Sequence, residues 1–89
     1  MKIEFAKSLS GHDASQIYLI ADSDEKFVYL ANGTTKPKSA PKKKSRKHVQ
    51  VIKNLPGEVT ECLVPEVTDL TIKRAIRLYC RIKQHKHEF

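Results

Sequence analysis

Gln16-Ile17-Tyr18-Leu19-Ile20-Ala21-Asp22, then four polar or charged residues, then Phe27-Val28-Tyr29-Leu30-Ala31-Asn32-Gly33, is the stretch that decides the fold. Both segments are short, apolar and rich in aromatic or β-branched residues. Polar residues bound them on each side, as they bound strands. Asp22–Lys26 is then the turn of a hairpin. Asn32-Gly33 favours a type I′ turn, because that dipeptide tolerates positive φ at both central positions. Thr34-Thr35 is expected to begin the return strand.

Working outward, residues 2–7 alternate weakly through Ile3, Phe5 and Lys7, which suits a first strand. Ser8–Ser15 is a polar loop centred on Gly11. His48–Ile52 alternates again and closes the strand set. The expected strands are therefore 2–7, 16–22, 27–35 and 48–52, with Ile20, Val28, Leu30 and Val49 as core. Asn54-Leu55-Pro56-Gly57 breaks the pattern. Thr68 is placed to N-cap a helix, with Asp69 favourable in its first turn. Ile72, Ala75, Ile76, Tyr79 and Ile82 follow at helical spacing. Lys73, Arg74, Arg77 and Arg81 occupy the other face, and the helix ends near His85.

The chain has 89 residues and a net charge of +7. A domain of this size buries only ~60–65% of its unfolded surface, which leaves little room for a deep catalytic cleft. The charge is unevenly placed. Residues 36–53 carry 8 Lys/Arg and no acid, and residues 54–70 carry 4 acids and no Lys or Arg. Lys36–Lys47, with Pro37 and Pro41, reads as a mobile basic loop whose charges repel one another. Two basic blocks on a mildly acidic body point to a polyanion partner.

Ser10-Gly11-His12-Asp13, followed by Gln16–Ile20, resembles the KOW motif of ribosomal and transcription-associated proteins. Phe27–Gly33 and the basic run ending Lys47-His48-Val49-Gln50-Val51-Ile52 extend the likeness over residues 2–53. The group is similar to small KOW-domain RNA-binding proteins of Gram-positive bacteria and, beyond them, to KOW-motif large-subunit ribosomal proteins. Ser15 departs from the pattern where many members have a second glycine, and Asn32 where many have aspartate. The resemblance implies a mainly β fold, a small SH3-like, KOW-type β-barrel with a C-terminal α-helix. Residues 1–56 would be the barrel, with the basic loop 36–47. Residues 57–89 would be an acidic linker and the basic helix.

The expected function is RNA binding, with ribosomal RNA as partner, in association with the ribosome. The contacts would be to phosphate and shape, because an A-form helix hides its major-groove base edges. Gly11 and His12 would orient the RNA at the barrel rim. Lys36, Lys38, Lys42, Lys43, Lys44, Arg46, Lys47 and His48 would supply most of the attraction. Lys73, Arg74, Arg77 and Arg81 would extend it along the helix. Tyr18, Phe27 and Tyr29 could stack bases, but their strand positions favour core packing for at least one face. The alternative is a protein-interaction adaptor of the translation or transcription machinery, docking basic partners on Glu58–Asp69; ribosomal proteins are candidate partners in either case.

Other chemistries find no support. Cys62 and Cys80 lie too far apart for a structural zinc pair with His85 and His87. His12, Asp13 and Ser15 include triad residue types but crowd into one loop with no separate oxyanion element. No catalytic residue, metal, cofactor or small-molecule substrate is expected. Met1–Ser10 is too polar for a secretory segment and no apolar run approaches a membrane span. A cytoplasmic monomer with reduced thiols is the expectation.

Overall fold

The computed structural model describes residues 3–86. Five strands form one antiparallel sheet: β1 (Phe5–Ser8), β2 (Ile17–Ser23), β3 (Phe27–Ala31), β4 (Lys42–Ser45) and β5 (Val49–Ile52). The order across the sheet is β4-β3-β2-β1-β5. A one-turn 3-10 helix, Arg46–His48, carries the chain from one edge to the other. Two helices follow, α1 (Gly57–Glu61) and α2 (Asp69–Lys86).

Both faces of the sheet are covered. Along β1, Phe5 faces the helices, in a core with Leu19, Ala31, Val59, Leu63, Ile72, Ala75 and Tyr79. Phe5 and Tyr79 meet edge to face, with centroids 5.6 Å apart. Ala6 faces the other way, into a second core with Tyr18, Val28, Leu30 and Val49. Successive residues of a strand point to opposite faces, so a strand buried on both sides is apolar throughout. This explains why β2 and β3 read as unbroken apolar runs. Ile20 is only partly buried, at the margin of the second core.

The expected loop at 36–47 is corrected by this structure. Lys42–Ser45 is a strand paired with β3, in register Leu30↔Lys42, Tyr29↔Lys43 and Phe27↔Ser45. Like-charge repulsion argued against order there, but the Lys42 and Lys44 side chains share a carboxylate described below. Thr34-Thr35 is correspondingly not a strand. The Asn-Gly turn also differs from expectation: Gly33 has positive φ, and Asn32 does not. Instead the Asn32 side-chain oxygen accepts the N–H groups of Thr34 and Lys36 at 2.9 Å each. Such a loop needs no left-handed residue at its first position.

That loop lies against the start of α2. A Cβ on Gly33 would collide with the Asp69 carbonyl oxygen and crowd the Lys73 nitrogen at 3.1 Å. The Lys38 N–H donates to Asp69 Oδ1 at 2.7 Å, and Lys38 Nζ to the Val67 carbonyl at 2.9 Å. Thr68 caps α2: its Oγ1 accepts the Thr71 N–H at 3.2 Å, while Thr71 Oγ1 accepts the Thr68 N–H at 2.8 Å. This is a reciprocal capping box with threonine in the glutamate position.

Residues 57–69 are not a free linker. Helix α1 buries Val59, and Leu63 just beyond it is buried too. The first strand begins at Phe5 rather than residue 2, and Lys2 lies outside the described residues.

Two substitutions test this packing. Leu30→Ala should cost ~2–5 kcal/mol, the usual loss for a large side chain removed from a core. Gly33→Ala should cost ~2–4 kcal/mol, from the left-handed backbone together with overpacking against α2. Denaturant melts check both; losses under about 1 kcal/mol would place either residue outside the packed interior.

Candidate nucleic-acid interface

The basic residues singled out in the sequence differ in what they contact. Asp13 takes two of them. Lys44 Nζ lies 2.8 Å from Asp13 Oδ1, and Lys42 Nζ 3.0 Å from Oδ2. Tyr18 Oη donates to Oδ2 at 2.9 Å and Ser8 Oγ to Oδ1 at 3.0 Å. Lys44 Nζ also donates to Ser8 Oγ at 2.7 Å and to the Ser10 carbonyl at 2.9 Å. The Lys44 and Asp13 side chains are only 10% and 11% exposed. The Lys44 ammonium, ahead of the other donors, holds the Asp13 carboxyl far below the usual carboxylate range. Burial, reinforced by Asp13, pushes the Tyr18 phenol up to about 12, so it stays a neutral donor.

This network orders the loop between β1 and β2. The Ser15 N–H donates to the Ser8 carbonyl at 2.8 Å, and the Ala14 N–H to that of Gly11 at 3.2 Å. Gly11 and Ser15 both have positive φ, of 85° and 73°. Ser15 thus occupies a conformation that glycine adopts at less cost. Gly11 and His12 are exposed on the loop.

The remaining residues of the basic stretch disperse. Lys43 Nζ sits 4.1 Å above the Phe27 ring centroid. Arg46 Nε donates to the Asp24 carbonyl at 2.6 Å. Lys36 is half-buried, and Lys47 and His48 are exposed on the 3-10 turn. Of the three aromatics, Tyr18 is buried. Phe27 and Tyr29 are half-buried on the outer face of β3, where Tyr29 Oη meets Asp24 Oδ2 at 3.4 Å.

A different set of cations does converge. Two adjoining concavities run along α2, one against the β1–β5 side of the sheet and one against the start of β2 and the loop after β3. One, of about 540 Å³, is lined by Lys7, Lys53 and Lys83 over a floor including Val51 and Tyr79. The other, of about 430 Å³, is lined by Lys73 and Arg77 beside Ile76. Ser15, Ile17 and Cys80 border both, so the two are contiguous and are called the groove below, and among the described residues no carboxylate lines either part. Among the described residues the ion pairs are those of Lys42 and Lys44 with Asp13, which leaves the five groove cations without a carboxylate partner there.

Of the helix residues anticipated from sequence, Lys73 and Arg77 line the groove. Arg74 and Arg81 are exposed but do not. Lys7, Lys53 and Lys83 were not anticipated. Lys7 is isolated in sequence, Lys53 ends the basic stretch and Lys83 follows Arg81 on the helix; the sheet register Lys7↔Gln50 and Lys7↔Ile17 is what brings β1 into the groove.

Cys62 and Cys80 are free and partly buried, and burial pushes the Cys80 thiol up. Among the described residues no group of three or more His, Cys, Asp or Glu is placed to hold a metal. The His85 side chain and His87 lie outside the described residues. No protein-family model matches the chain, and no curated protein matches it.

The Asp13 network makes a measurable prediction. Asp13→Asn keeps the shape but strands the Lys44 ammonium, and should cost ~3 kcal/mol at pH 7, the low end for breaking a buried pair. A carboxyl whose folded pKa is depressed contributes stability above its unfolded value of ~4 and loses it as pH falls below that. Wild type should therefore lose more stability than Asp13→Asn between pH 5 and pH 2, read from melts across that range. Parallel pH profiles would show that Asp13 is not held as a buried anion.

Proposed function

We propose that the protein binds RNA through the groove between α2 and the sheet, with ribosomal RNA as its partner in association with the ribosome. The observation carrying this reading is the convergence of Lys7, Lys53, Lys73, Arg77 and Lys83 on one concave strip that, among the described residues, no carboxylate lines. Cations already satisfied by acids gain little from a phosphate. Cations left unpaired release the RNA's condensed counterions when they meet it, and that release drives binding. Low-dielectric walls on both sides also focus the field into the groove.

The strand order, with a one-turn helix joining the two edge strands, is consistent with a sheet closed into an SH3-like barrel of the KOW type. In this reading the barrel is a rigid mount, and the loop carrying Gly11 and His12 is its rim. Catalysis has no part in it. The buried carboxylate, Asp13, is occupied by four donors and makes a poor base. No helix among the described residues is long and apolar enough to cross a membrane. A cytoplasmic site of action is part of the proposal.

Titration of a structured RNA at several salt concentrations tests it. If the five groove cations meet phosphates, log K should fall with log salt at a slope of about −3.5 to −4.5. Lys73→Ala/Arg77→Ala/Lys83→Ala should flatten the slope by about 2 to 3, with the melting curve nearly unchanged. Arg74→Ala/Arg81→Ala, on the same helix but outside the groove, should do less. Equal slopes for wild type and the triple variant would remove the groove as the contact. Capture of proteins that survives nuclease would favour the adaptor reading instead.

A further inference from the structure

The groove's composition carries the RNA-binding reading one step further, to the form of RNA it takes. Proteins that hold single strands without sequence preference combine cations with exposed rings on which bases stack. Among the described residues, the groove cations have no exposed ring beside them. Among the described residues the groove's one aromatic residue is Tyr79, 6% exposed, its ring edge-to-face with Phe5. Phe27 and Tyr29 lie on β3 outside the groove, among Asp22, Asp24, Glu25 and Lys26, with Lys43 already over Phe27. A strand whose phosphates sit in the groove finds no platform for its bases there.

What the groove does offer beside its cations is a row of polar side chains. Gln16, Gln50 and Asn54 are exposed along it, with Ser15 and Thr34. Each amide both donates and accepts, which matches the 2′-hydroxyl. In an A-form duplex the 2′-hydroxyls and phosphates are the groups displayed across the wide, shallow minor groove, while the bases stay stacked.

We infer that the groove takes double-stranded RNA in preference to single strands. Lys7, Lys53, Lys73, Arg77 and Lys83 hold the phosphates, and Gln50 and Asn54 read 2′-hydroxyls. This rests on the RNA-binding reading above.

The experiment is a competition titration at one salt concentration. It uses a duplex RNA of about 16 base pairs, the span small double-strand-binding domains cover, the duplex DNA of the same sequence, and an unstructured single-stranded RNA of the same length. The duplex RNA should bind tightest. Gln50→Ala/Asn54→Ala should narrow its advantage over duplex DNA about threefold to tenfold, the worth of one or two lost hydrogen bonds, and leave the salt slope unchanged. Single-stranded RNA binding as tightly as the duplex would overturn the inference while leaving RNA binding intact. Duplex DNA binding equally would remove the 2′-hydroxyl contact. Failure of all three probes at low salt would overturn the proposed function as well.

Discussion

Asp13 is where the fold and the charge distribution meet. Its carboxylate, anchored in the loop after β1, draws Lys42 and Lys44 inward from the edge strand β4. Strand alternation then sends Lys43 to the opposite face, over Phe27. A buried ion pair is weak evidence for net stability, since desolvation offsets most of the Coulombic gain. Its consequence here is specificity. Slipping β4 by one residue would withdraw Lys42 and Lys44 from Asp13 and turn Lys43 inward, leaving a buried carboxylate without its ammonium partners. A strand of three lysines and a serine has little intrinsic preference for a sheet, so its register has to come from such a contact. The lysines also make a poor template for pairing with another chain, which suits an edge.

How much could be read in advance follows from how local each determinant is. Strands β2 and β3 and helix α2 were legible because each carries its apolar pattern within its own span. Thr68 was legible as a cap because caps are local. Strand β4 was not: its order depends on Asp13, 29 and 31 positions away in the chain. Helix α1 was missed because five residues make little more than one turn and show no periodicity; its place is fixed by burying Val59. The Asn-Gly turn was misread for a related reason. The dipeptide suits a tight hairpin, but the 32–41 segment instead packs on the first turn of α2, where Gly33 is needed for close approach.

The same distinction governs the groove. A run such as Lys42-Lys43-Lys44 is conspicuous, yet two of its three ammonium groups are engaged with Asp13. Lys7 stands alone in β1, and Lys53 after β5 and Lys83 late in α2 lie away from the lysine run. Sheet register and helix packing bring them together. Charge density along a chain thus does not tell which of its cations an acid engages. What makes a cation available to a phosphate is the lack of a nearer acid, and that is a property of the fold.

These two populations of cations also divide the work physically. Lys42 and Lys44 act on the folded state through a desolvated carboxylate, where salt screens little. The groove cations face water, unpaired among the described residues, and their attraction for a polyanion is strongly salt-dependent. Charge can therefore be removed from the groove with little effect on the sheet, whereas removing Asp13 disturbs the β1–β2 loop. Ser15 joins the two, because it belongs to the loop that Asp13 anchors and borders both parts of the groove. The buried pair thus fixes one lip of the groove that the five cations line.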